Sequence, residues 1–227
     1  IWTTLFEPRI KRISMDDNQS ATELSFLATL ALDIESALGQ VDASDTASNR
    51  RNALRTIISA MEGASWIYRT HVLSVAQGLN LASPKLEFAF AETFLFVSEQ
   101  GEIREQQRFV STTAMIRLTT KTAQEICSDL EVDFMHAGWQ KLQNAIRLRN
   151  RITHPKGIND LAVSRQDMEA AKSGVDWFLT TVITVMEATV RELSAYSAEA
   201  KDFIAKLRSG DPDTLALYER VRRAPDD

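Results

Sequence analysis

Residues 147–156 read RLRNRITHPK, placing four cations, a histidine and a proline in ten positions. An imidazole titrates near neutrality, so His154 is suited to take or give a proton there. Arg149 offers a fixed positive charge for an anion or for charge that develops in a transition state. Asn150 adds an amide one helical turn before His154. Pro155 disfavours helical geometry at the residue before it, which predicts that the helix ends at His154 and that the imidazole leaves the helical path. Cation, amide and imidazole would then surround one small volume.

Arg149 is also out of place by pattern. Met135, Trp139, Leu142 and Ile146 are spaced by four, three and four, and the next position on that stripe is Arg149. A guanidinium stands where an apolar side chain is expected, and burying it unpaired is costly. It therefore needs a carboxylate, an anionic ligand or a polar cavity. If it has no partner, Arg149→Ala is expected to stabilise the fold. Arg147 and Arg151 form an i,i+4 pair pointing away from this stripe, and with Lys156 they read first as solvated cations near a helix C-terminus.

The elements that must position these residues are helical. Leu24, Leu27, Ala31, Ile34 and Leu38 predict a helix over about 17–38, and Leu54, Ile57, Ile58, Met61, Ser65, Tyr68, Val72 and Val75 predict a long one over about 48–79. From Lys85 a helical start gives way to an apolar run, and Gly101 between polar arms predicts a loop or a small hairpin. Further helices are expected over about 111–127, 134–152 and 164–196, the last opening on Ser164 and Asp167 as an N-cap with an acidic first turn. SGDP at 209–212 separates a short final helix. The expected architecture is all-α: an up-and-down bundle over 48–197, an N-terminal segment and helix over 1–47 packed on it, and a helical extension over 198–227.

Composition agrees with such a bundle and narrows the function. The chain has 227 residues, 44% hydrophobic and 25% charged, with only 8 Gly and 5 Pro. Its net charge of −5 argues against a broad nucleic-acid-coating surface and leaves room for a local basic site. One cysteine, Cys127, cannot form an intrachain disulfide, no apolar run is long enough for a bilayer, and nothing reads as a secretory signal, so a cytoplasmic setting is expected. Met15 is a plausible native start. No Gly-rich phosphate loop or dinucleotide fingerprint occurs, so no cofactor is implied. His71 and His136 lack partners at ligand spacing, and no metal site is expected. Cys127 reads as a small buried hydrophobe, and Trp66, Trp139 and Trp177, in helix interiors, read as core.

RNRITHP resembles the signature of the HEPN superfamily (higher eukaryotes and prokaryotes nucleotide-binding), all-helical domains with an Arg, a polar residue and then a His. Arg149, Asn150 and His154 match that pattern position by position. RRNALRTIISAMEG is similar to an early core helix of such domains, and SEQGEIREQQRFVSTTAMIRLTTKTAQEI followed by WQKLQNAIRLRNRITHPKG is similar to the order in ribonuclease-like members. The resemblance covers about residues 48–193.

It implies a metal-independent endoribonuclease, a toxin or phage-defence effector. His154 would activate the ribose 2′-hydroxyl or protonate the leaving oxygen, Arg149 would stabilise the phosphorane, and Asn150 would orient the site. Arg147, Arg151 and Lys156 would contact RNA. A homodimer would bring two motifs to one cleft, and an antitoxin or defence-system protein would be a further partner. Some toxin members carry a Tyr two residues after the His that a partner enzyme modifies; here that position is Lys156. Glu62, where related domains carry a polar residue near the site, is a candidate partner for Arg149, although a helical Glu is more often a solvated face. Two other readings stay open: a non-catalytic HEPN-like module binding nucleotide, RNA or protein, and a scaffold bundle whose Arg149 is merely paired to an acid.

Overall fold

The computed structural model describes residues 17–223, with side chains from 25 onward. Met15 lies outside the described residues. The first helix, α1 (Asp17–Ala43), leads through a short turn to α2 (Ala47–Gly78), where the Thr46 hydroxyl accepts from the Asn49 N–H and caps the helix. All eight stripe positions from Leu54 to Val75 are buried. α2 is the spine of the molecule, packing against α1, α4 (Thr112–Ile126), α5 (Ala137–Thr153) and α6 (Arg165–Ser209). Ile34 of α1 enters the same core, with Leu27, Leu30 and Leu38 packed on its margin.

Between α2 and α4 lie a short helix α3 (Pro84–Phe90) and a hairpin, β1 (Thr93–Val97) antiparallel to β2 (Ile103–Gln107). Thr93 pairs with Gln107 and Val97 with Ile103, and Gly101 turns the chain at φ +77°. That left-handed conformation favours glycine, which explains why the apolar run folds back at this point. The hairpin is the only sheet among the described residues. The molecule is thus mostly helical, as the periodicities predict.

α6 differs from expectation in length. It starts as predicted, with Ser164 and Asp167 forming a reciprocal capping box, but continues past Tyr196 to Ser209. SAYSAEAKDFIAKLRS contains good helix formers and no Gly or Pro, so nothing stops the helix until Gly210, which takes φ +77°. The final helix, α7 (Pro212–Arg223), follows.

Two polar contacts lie within this interior. The Tyr68 hydroxyl is 3.0 Å from Oγ1 of Thr120, and Nε2 of His71 is 3.0 Å from Oγ1 of Thr189. Burial holds the His71 pKa down to about 4, from an ordinary 6.5. The unfolded chain therefore binds a proton that the folded one refuses. This contribution to stability is complete above pH 6.5 and is lost as pH falls toward 4. Urea unfolding at pH 7.5 and 5.0 should show the wild type losing about 1–2 kcal/mol more than His71→Gln. Equal losses would show that His71 is not the source.

Candidate functional site

α5 carries the motif. Nδ1 of His136 accepts from the Gly138 N–H and starts the helix, which buries Trp139, Leu142, Ala145, Ile146 and Ile152. Met135 is not on it: the residue precedes the cap and is 81% exposed, so the apolar stripe begins at Trp139. α6 approaches α5 closely at Gly174, where a Cβ would lie 2.5 Å from the Leu142 backbone nitrogen. This close packing fixes the helix that ends in the motif.

Arg149 meets a carboxylate. Its Nη2 donates to Oε1 of Glu62 on α2, and the Thr112 hydroxyl at the start of α4 reaches the same oxygen at 3.4 Å. The two charged side chains are 22% and 36% exposed, so the pair sits at the core margin rather than inside it. Glu62 is therefore not a solvated face, and the cation on the apolar stripe is not stranded. Nε of Arg149 is buried without a hydrogen-bond partner, which adds to the cost of the site.

Arg147 and Arg151 lie on another face. By helical pitch each is about 200° around the axis from Arg149, and both line a groove of about 540 Å³ with Gln166 and Asp167 of α6. Arg147 donates to Oδ1 of Asn144, and Arg151 donates to the Ala162 carbonyl at 2.8 Å. Lys156 is exposed, and its backbone N–H donates to Oδ2 of Asp160 at 2.8 Å.

His154 is the C-cap of α5, with φ −122° and ψ 60°, so the chain leaves the helix there as Pro155 predicts. Its N–H donates to the Asn150 carbonyl at 3.1 Å. The Asn150 and His154 side chains are exposed, and neither hydrogen-bonds to another described residue. The fold thus brings Arg149 to Glu62 but does not join the side chains of Arg149, Asn150 and His154 to one another by hydrogen bonds.

The segment bearing His154 is braced from several directions. Arg55 of α2 donates to the Ile152 carbonyl at 2.9 Å, Arg51 donates to the Leu161 carbonyl at 3.2 Å, and Arg151 holds Ala162. Between them runs a 3₁₀ turn, Ile158–Leu161. Cations on the last carbonyls of α5 also complement its dipole. Arg51 and Arg55 are positioning residues that sequence reasoning missed. The available signal was their spacing: Arg51, Arg55 and Glu62 follow at four and seven, on one side of α2.

The remaining candidates separate clearly. Cys127 is 2% exposed, and burial pushes its thiol pKa up, which suits the small-hydrophobe reading. Trp139 is core and Trp177 packs against it, but Trp66 is 45% exposed and is corrected from core to surface. It follows Ser65, which takes the buried position. Among the described residues no cluster of His, Cys, Asp and Glu is placed to hold a metal ion, and no helix is long and apolar enough to cross a membrane. No family model, curated protein or solved structure matches the chain.

Proposed function

We propose that this chain is a metal-independent endoribonuclease of HEPN type, an up-and-down bundle acting as a homodimer in the cytoplasm. The observation that carries the reading is His154: an exposed imidazole with no hydrogen bond to another described residue, on a segment that Arg51, Arg55 and Arg151 brace through backbone carbonyls. Such bracing also caps the helix end, and by holding the backbone on both sides of His154 it preorganises the exposed imidazole for chemistry.

The 2′-hydroxyl oxygen attacks the adjacent phosphorus as an imidazole takes its proton. The bond to the 5′ oxygen breaks, and a second imidazole protonates that oxygen. The products are a 2′,3′-cyclic phosphate and a 5′-hydroxyl. One imidazole cannot serve as acid and base in a single concerted step, so two copies of the motif across a dimer supply the two histidines and two Arg149 cations. Arg149 neutralises the phosphorane and Asn150 orients the ribose or phosphate. Arg147, Arg151 and Lys156 add RNA contacts outside the cleft. An antitoxin-like or defence-system protein is the proposed further partner.

A second reading has its own observation. Glu62 already neutralises Arg149 in a chain of net charge −5, which favours a non-catalytic module binding nucleotide, RNA or protein. The deciding experiment incubates the purified chain with mixed RNA in excess chelator and analyses the ends. Cleavage leaving 2′,3′-cyclic phosphates is expected; intact RNA across varied substrates would leave the binding module in its place.

A further inference from the structure

Trp66 belongs to a polar cavity that adjoins Arg149. On α2, Glu62, Trp66 and Arg69 follow at four and three, on one face. They line a cavity of about 270 Å³ whose opposite side carries Glu92, Gln107 and Arg108 from the hairpin flanks. Arg69 donates to Oε1 of Glu92 at 2.6 Å, and Arg108 donates to the Phe88 carbonyl at 2.8 Å, so both guanidiniums are held in place. Glu62 is shared: it lines the cavity and binds Arg149. From Arg55, which holds the turn of His154, to Trp66 the distance along α2 is about 17 Å at 1.5 Å per residue.

The lining selects among ligands. A divalent cation is disfavoured by Arg69 and Arg108, and a lone phosphate by Glu62 and Glu92; neither needs an exposed indole. A purely apolar group would strand the carboxylates and the Gln107 amide. A flat heteroaromatic ring with donors and acceptors on its edge suits every element. It stacks on Trp66, donates to a carboxylate or the Gln107 oxygen, and accepts from a guanidinium or the Gln107 amide nitrogen. We infer that this cavity is a nucleobase subsite for single-stranded RNA, seating a base near the phosphate that Arg149 contacts. The inference rests on the ribonuclease reading, which it extends to an unpaired RNA strand as substrate, because a base within a duplex cannot reach the indole.

The test uses the full chain carrying His154→Ala, so that RNA is bound and not cut. Fluorescence anisotropy measures a labelled, unstructured oligoribonucleotide and an abasic ribose-phosphate strand of the same length. Trp66→Ala should weaken binding of the oligoribonucleotide roughly tenfold, and Trp66→Phe much less, since a phenyl ring still stacks. On the abasic strand Trp66→Ala should change nothing, because the phosphate charges are unaltered. Unchanged binding of the oligoribonucleotide by Trp66→Ala, an equal loss on both strands, or no RNA binding at all would each overturn the subsite. Failure of the catalytic reading is distinguishable: wild type that binds RNA through Trp66 but never cuts it keeps the subsite and loses only the chemistry.

Discussion

His154→Ala should abolish RNA cleavage, by roughly 10²–10⁴-fold if proton transfer is its whole role, with the thermal transition nearly unchanged. The two halves of this result have separate causes. The imidazole is exposed and hydrogen-bonds to no described side chain, so removing it opens no cavity and strands no partner. The backbone geometry of the turn is set by Pro155 and by the arginines that bond to the carbonyls of residues 152, 161 and 162, none of which the substitution touches. RNA binding, carried by cations and by stacking, should also persist. A His154→Ala protein that cuts RNA as well as wild type would end the catalytic reading. One that unfolds would show instead that the imidazole supports the helix end.

The helices were legible because their signals are local. Ser164 and Asp167 mark an N-terminus by a side-chain cap, Pro155 marks the end of α5, and the α2 stripe is buried at every position read from its spacing. Where expectation and structure part, a competing local effect or a distant contact is responsible. Met135 fits the period, but His136 caps the helix after it. Trp66 has core chemistry, yet the helical face it occupies is polar, with Glu62 and Arg69 on either side. The chain beyond Tyr196 has strong helix formers and no Gly or Pro before Gly210, so the helix runs on to Ser209. The Glu62–Arg149 contact joins residues 87 apart, and the anomaly at Arg149 told only that a partner was needed. Arg51 and Arg55 share one side of α2 with Glu62, but their acceptors are backbone carbonyls 110 and 97 residues away, which that spacing alone does not name.

That ion pair reverses one expectation and sharpens another. Were Arg149 unpaired, its removal would relieve the fold; paired, its removal leaves Glu62 without its cation beside the core. Arg149→Ala should therefore destabilise by about 1 kcal/mol, a modest figure because both side chains keep contact with water. The double variant Glu62→Ala, Arg149→Ala should recover part of that loss, since neither charge is then left alone. Activity should respond more strongly. Arg149→Ala should lower kcat/KM by roughly 10²-fold or more, the scale expected when a preorganised donor to developing charge is lost. Arg149→Lys should rescue stability better than activity, because an ammonium can satisfy Glu62 but lacks the planar fork that holds a carboxylate and a phosphate together. Glu62 both holds Arg149 and lines the base cavity, so Glu62→Gln should lower kcat and raise KM, and Glu62→Asp should restore some of kcat. If Glu62→Gln instead leaves kcat intact while Arg149→Ala only destabilises, the pair is structural and the cation has no part in the chemistry.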